Sequence, residues 1–169
     1  MADTKQDAIA LLKADHRTVE DLFEQFEKAS GDGRKAKIAR QICLELTVHA
    51  KIEEEIFYPA CEGKIDDDML KEAYVEHDGA KVLIAEIEAG GPDDAFYEAK
   101  VSVLSEQIEH HVGEEEMRME GMFSQARRAG LDMDALGDQL RARKEELVAE
   151  YTANGLPKPE TISFREATV

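Results

Sequence analysis

Tryptophan does not occur in this chain, and among 169 residues there are only four prolines and two cysteines. Two cysteines, Cys43 and Cys61, are too few for a disulfide framework and read as two buried free thiols. Scarce proline leaves long stretches free to be helical. Positive charge is short as well: 21 lysines and arginines against 38 aspartates and glutamates give a formal net charge of −17. So acidic a surface repels phosphate backbones and anionic lipid, which argues against a nucleic-acid or membrane partner and for attraction of cations. No apolar run approaches the ~20 residues of a membrane span. The N-terminal MADTKQDAIALLKADH has neither the apolar core nor the small-residue cleavage site of a signal peptide. The chain therefore reads as cytoplasmic. An alternating strand pattern, a Gly-rich phosphate loop, a CxxC pair and a Ser–His–Asp arrangement are also missing, which removes most enzyme classes.

What the chain does have is apolar residues at 3–4 spacing almost throughout. Gly, Pro and capping Asp or Ser in SGDGRK (30–35), CEGKIDDD (61–68), AGGPDD (89–94) and RRAGLDMD (127–134) cut this pattern. Five helical stretches result, roughly 4–29, 35–58, 67–88, 94–124 and 133–152. Short connections imply antiparallel neighbours. The expected fold is all-α, an up-and-down four-helix bundle with an additional C-terminal helix. Residues 1–152 read as one domain including the extra helix 133–152. The tail 153–169, with a helix stop and two prolines, is expected to lie along the bundle or fray.

The apolar stripes carry histidine. The first is Ile9, Leu12, His16, Val19, Phe23, Phe26, and the second Ile42, Leu46, His49, Glu53, Ile56. The third is Leu70, Tyr74, His77, Ala80, Ile84, Ile87, and the fourth Val101, Leu104, Ile108, His111, Glu115, Met119. The halves repeat: DHRTVEDLFEQFE (15–27) aligns with EHDGAKVLIAEIE (76–88). His16 and His49 are 33 residues apart, and His77 and His111 are 34 apart. Each half thus reads His on one helix and His-x-x-x-Glu on the next. Residues i and i+4 share a helix face, so imidazole and carboxylate aim at one point.

A lone His16 or His77 would ordinarily be a satisfied interior histidine, and a single His-x-x-x-Glu pair is common on exposed helices. Four placements at matched spacing point instead to a two-metal centre. Buried Glu53 and Glu115 would be costly without pairing or a metal, and imidazole with carboxylate suits iron better than zinc or manganese. Glu54, Glu55, Glu114 and Glu116 read as solvated face. His110–Glu114 offers a competing register, but the stripe through Ile108 selects His111 and Glu115. His110 becomes an exposed or supporting neighbour.

The segments DHRTVEDLFEQFE, VHAKIEEEIFYPA, EHDGAKVLIAEIE, IEHHVGEEE and GMFSQARRAGLDMDALGDQLRARKEEL resemble the hemerythrin-like, HHE cation-binding family over roughly residues 8–150. That resemblance implies a four-helix bundle holding two non-haem irons, oxo- or hydroxo-bridged. His16, His49, His77 and His111 would be terminal ligands, with Glu53 and Glu115 as bridges. Two departures stand out. The fifth histidine of hemerythrins proper is replaced, since Ala73 and Lys81 occupy its neighbourhood. This leaves a coordination position for an exogenous ligand or a phenol, Tyr58 or Tyr74. MRMEGMF also holds about three residues more than the family pattern, which predicts a distorted end to the fourth helix. The resulting expectation is a di-iron protein binding O2, peroxide or nitric oxide, with peroxide-consuming activity. The alternatives are a non-catalytic iron or oxygen sensor acting through a partner, and a metal-free helical interaction module. A ferritin-like centre would instead need Glu-x-x-His pairs and lone glutamates.

Overall fold

The computed structural model describes residues 5–165. The expected helix start at residue 4, the first four residues of the domain and the last four of the tail lie outside the described residues. Every regular element among the described residues is helical. In order these are α1 (Ala8–Lys28), α2 (Asp32–Ile52), a π-helical turn (Glu53–Phe57) running into α3 (Tyr58–Cys61), α4 (Asp67–Gly90), α5 (Tyr97–Glu116), α6 (Met122–Arg128) and α7 (Met133–Asn154).

Local chemistry sets the starts and stops. Carboxylates of Asp7, Asp66 and Asp132 accept from the backbone N–H groups of Ala10, Met69 and Ala135 at 2.8, 2.8 and 3.0 Å, capping α1, α4 and α7. Helices α1, α2, α4 and α5 form the up-and-down bundle, and α7 packs against α1 and α2. Gly137 permits that approach: a Cβ there would lie 2.9 Å from the backbone N of Ala8 and O of Gln6.

The apolar interior is in two parts. Val19, Phe23, Ile42, Ile84 and Leu104 lead one. Leu12, Ile52, Phe57, Phe123 and Leu140 lead the other, which α6 and α7 help to close. Along each bundle helix the histidine falls where one part gives way to the other. The fold thus places four imidazoles at one level.

Three expectations need correction. The stretch 94–124 is not one helix: α5 stops at Glu116, and Met117–Gly121 turns the chain into α6. Met119, expected on the buried stripe, has a positive φ of 72° and is 68% exposed. Gly121 makes this turn possible, because a Cβ there would fall 2.6 Å from Met117 N and 2.9 Å from Glu115 O. The second helix also does not end at residue 58 on an α-helical stripe through Ile56. Tyr58 N–H bonds Glu53 O, a five-residue step that widens one turn. Pro59 lies just beyond; it lacks an N–H, and its ring would strike the Glu55 carbonyl in a regular α-helix. The widened turn makes Phe57 and Tyr58, rather than Ile56, the fully buried residues after Glu53.

The tail lies along the bundle. Asp78 receives N–H groups of Ile162, Ser163 and Phe164 at 3.0, 2.6 and 3.0 Å, and the Ser163 hydroxyl at 2.5 Å. Cys43 and Cys61 are buried free thiols. Burial, helped by the Glu88 charge, raises the Cys43 pKa; burial, with the charges of Glu53 and Glu115, pushes Cys61 to about 12. No described helix is long and apolar enough to cross a membrane.

Candidate metal centre

Six of the residues singled out from the sequence meet at the level where the core divides. His16, His49, Glu53 and Glu115 offer ligand atoms within 4.8 Å of one another, as do Glu53, His77, His111 and Glu115. Both quartets are buried, and they share the two glutamates. The Nε2 atoms of His16 and His49 are 3.2 Å apart, and those of His77 and His111 are 3.1 Å apart. Each pair is at hydrogen-bonding distance, and each also belongs to a quartet of donors close enough to hold a metal ion.

The carboxylates supply a fit test for a cation. Both oxygens of Glu53 and Oε2 of Glu115 are buried without a hydrogen-bond partner. His49 Nε2 touches Glu53 Oε1, but without the alignment of a hydrogen bond. A buried carboxylate left in this way is costly, and a divalent or trivalent ion on each quartet satisfies it. The donors present fit a metal cation. Burial pushes the His49 pKa down, but the carboxylates of Glu53 and Asp15 outweigh it and raise it to about 10. Burial likewise opposes, and Glu115 overcomes, the change at His111, whose pKa is raised well above the ordinary histidine value.

Each imidazole is oriented from behind. Nδ1–H of His49 donates to Asp15 at 3.1 Å and that of His16 to Glu116 at 2.9 Å. Nδ1–H of His77 donates to Glu54 at 3.0 Å and that of His111 to Glu76 at 2.9 Å. A carboxylate can only accept, so each ring carries its proton on Nδ1 and turns Nε2 inward, as supporting carboxylates do in metal sites. The sequence reading missed these four, and assigned Glu54 and Glu116 to solvated face. Their signal was in the repeat: an acid precedes His16 and His77, and an acid follows Glu53 and Glu115. Three of them end on a cation, Glu116 on Arg17, Asp15 on Lys144 of α7, and Glu54 on Lys81 at 2.9 Å.

Of the two phenols, Tyr58 enters the cluster. Its O–H donates to Glu115 Oε1 at 2.7 Å, with Nε2 of His77 and His111 at 3.1 and 3.4 Å. Burial, then the charges of Glu115 and Glu53, raise its pKa well above the usual tyrosine value. Tyr74 packs edge-on against the Tyr58 ring, centroids 5.2 Å apart. Phe123 of α6 stacks on His16 at 5.8 Å, nearly parallel, a contact the sequence did not announce. His110 stays outside, its side chain 67% exposed, against Glu114 and Glu76 at 3.1 and 3.4 Å. Beside the imidazoles is a cavity of about 30 Å³ whose other walls include Val19, Leu46, Ala80 and Ile108.

The family model for the Hemerythrin HHE cation binding domain matches residues 7–123. Among solved structures, this chain is similar to a Hemerythrin HHE cation binding domain-containing protein, an Rv2633c homolog from Mycobacterium kansasii. The TM-score is 0.73 at 18% identity, covering 89% of this chain and 95% of that one. Among curated proteins it is similar to a DNA nickase from Nostoc sp. (strain PCC 7120 / SAG 25.82 / UTEX 2576). The two are 28% identical over 106 residues, 63% of this chain but only 30% of the nickase.

Proposed function

We propose a non-haem di-iron function for this chain, which belongs to the hemerythrin HHE cation-binding family. One ion would be held by His16 and His49, the other by His77 and His111, with Glu53 and Glu115 shared between them. The carrying observation is that shared pair of buried glutamates, with three oxygens lacking any hydrogen bond between two pairs of converging Nε2 atoms. Nitrogen and carboxylate donors in this ratio suit iron. When bound, an iron pair supplies two electrons at neighbouring ions, enough for the reduction of O2 to peroxide or of peroxide to water.

The protein's own part is to hold and gate. Asp15, Glu54, Glu76 and Glu116 fix the four rings before metal arrives, so little ordering remains to be done on binding. Tyr58, whose O–H reaches Glu115 and the two histidines of the second quartet, would take the position left by the replaced fifth histidine. It would either ligate as phenolate or keep its proton on Oη for delivery at Glu115 Oε1. The adjoining cavity, about 30 Å³, would admit a molecule of one or two heavy atoms such as O2, peroxide or nitric oxide. Peroxide consumption is the lead activity we propose for such a centre. A second reading, a sensor, is favoured by Asp78, which follows His77 in the chain and seats the tail. The nicking named for the Nostoc protein is not carried over, because a net charge of −17 opposes approach to DNA phosphates.

Elemental analysis and an optical spectrum of protein made in iron-replete cells test the proposal. About two irons per chain with near-ultraviolet or visible charge-transfer absorption is the expected result, following the two-quartet ligand count. Metal-free protein, or a single ion of another element, would overturn it. Peroxide decay with the loaded protein then separates the consuming from the sensing reading.

A further inference from the structure

Around the buried centre the four orienting carboxylates are not equivalent. Asp15, Glu54 and Glu116 each meet a lysine or arginine on the side away from the histidine. Glu76 meets none among the described residues. Its Oε1 accepts from His111 Nδ1 at 2.9 Å, while Oε2 faces His110 Nε2 at 3.4 Å. Glu114, one turn beyond His110 on α5, brings Oε1 to 3.1 Å from the same nitrogen. At the place where the other three carboxylates find a fixed cation, the chain supplies an imidazole and a second carboxylate. Their ligand atoms lie within 4.8 Å of one another, with His110 open to solvent.

We propose that Glu76, His110 and Glu114 form an outer site for a divalent first-row metal ion, completed by water, which feeds the buried centre. The donor set is one nitrogen and two carboxylates from two helices, a combination that such ions accept and magnesium or calcium do not favour. A bound divalent ion replaces the lysine or arginine of the other three positions in neutralising the carboxylate behind His111. Through Glu76 the outer ion and the inner ring share one carboxylate. An ion released from the outer site is therefore already beside the ligands of the second quartet. The strongly acidic surface raises the local concentration of cations there. The feeding role rests on the di-metal reading; the existence of the outer site does not.

The test uses the full chain and the double variant His110→Ala/Glu114→Gln, leaving Glu76 in place because it orients His111. Both replaced residues face solvent at least in part, so matching circular dichroism and thermal midpoints are expected. Iron-loaded protein is titrated with Co2+ by calorimetry, and iron is counted on the same samples. The wild type should take one Co2+ beyond its iron, and the double variant should bind it about tenfold more weakly or not at all, the scale of losing metal-supporting groups. Iron content should be equal in the two. No additional Co2+ in the wild type, or the same uptake in the variant, overturns the outer site. Chelator-stripped protein is then mixed anaerobically with Fe2+, and uptake is followed by competition with a coloured Fe2+ chelator. The variant should fill to the same level more slowly than the wild type; equal rates overturn the feeding role. If neither protein retains iron but only the wild type binds the extra Co2+, the outer site stands and the di-iron reading falls.

Discussion

Adjacent positions on an α-helix point about 100° apart, so only one of His110 and His111 can face the bundle axis. His111 is buried, and His110 is open to water. His111→Ala is accordingly expected to strip or halve the bound iron and bleach its absorption, whereas His110→Ala leaves equilibrium iron content near that of the wild type. Elemental analysis of the two variants reads the difference directly. Periodicity alone selected the inward histidine, because Val101, Leu104 and Ile108 fix which face of the helix is apolar. What it could not select was the carboxylate behind each ring, since Glu54 and Glu116 fall next to the stripe and look solvated on a helical wheel. They are engaged because each reaches across to the histidine of another helix, a relation between helices that one helix's pattern does not contain. Tyr58 lies between these cases: its identity was suspected, but its aim depends on the turn before it. Tyr58→Phe removes the donor to Glu115 Oε1 and should lower the stability of metal-free protein by about 1–3 kcal/mol, the cost of an unsatisfied buried acceptor. If the phenol ligates iron, the loaded variant also loses a visible band; an unchanged spectrum assigns Tyr58 to the proton alone.

The elements show where local pattern stops being informative. Helices α1, α4 and α7 begin at Asp7, Asp66 and Asp132 because each carboxylate caps a free N–H, and those starts are legible within a few residues. The ends of α2 and α5 are not, since both are altered by the needs of backbone packing. In the first, Pro59 and a widened turn carry the helix on to Cys61 and swing Tyr58 into the cluster. In the second, Met117–Gly121 breaks the helix one residue after Glu115 and Glu116 have been placed. The extra residues of MRMEGMF foretold a distortion there, but the turn also sends Met119 out to solvent and lets α6 bring Phe123 onto His16. Gly121→Ala should be costly at this point, because its Cβ would press on Met117 N and Glu115 O and neither is the tip of a flexible side chain. A loss of about 1–3 kcal/mol is expected, as for overpacking of a tight interior, read from urea unfolding. Retained iron should fall with it, since the backbone that must move belongs to Glu115. Wild-type stability in Gly121→Ala would mean that this turn has slack.

For the molecule as a whole, the segments beyond the family match tie themselves to the centre. Lys144 of α7 pairs with Asp15 behind His49, and the tail seats on Asp78 beside His77. Burial would raise the Asp78 pKa, yet the bonds from Ser163, Ile162 and Phe164 outweigh it and hold the carboxylate at about 2. Asp78→Asn removes that charge, so the tail should become open to protease at a stability cost of about 1–3 kcal/mol, with iron content unchanged. The larger coupling concerns the metal itself. Glu53 and Glu115 lie among the histidines of all four bundle helices at one level, yet three of their four oxygens have no hydrogen-bonding group to turn to in metal-free protein. Protons drawn onto His49 and His111 offset part of that loss, but they cannot bind two carboxylates and four rings at once. Ligand that binds only the folded chain adds its binding free energy to folding. Chelation should therefore lower stability by on the order of 3–4 kcal/mol, the linkage expected when metal exceeds its dissociation constant by several hundredfold. The control is His111→Ala, in which the second quartet is already broken. Its thermal midpoint should respond much less to chelator than that of the wild type. Equal midpoints for stripped and loaded wild-type protein would mean that the histidines are packed for their own sake, with no metal contributing to the fold.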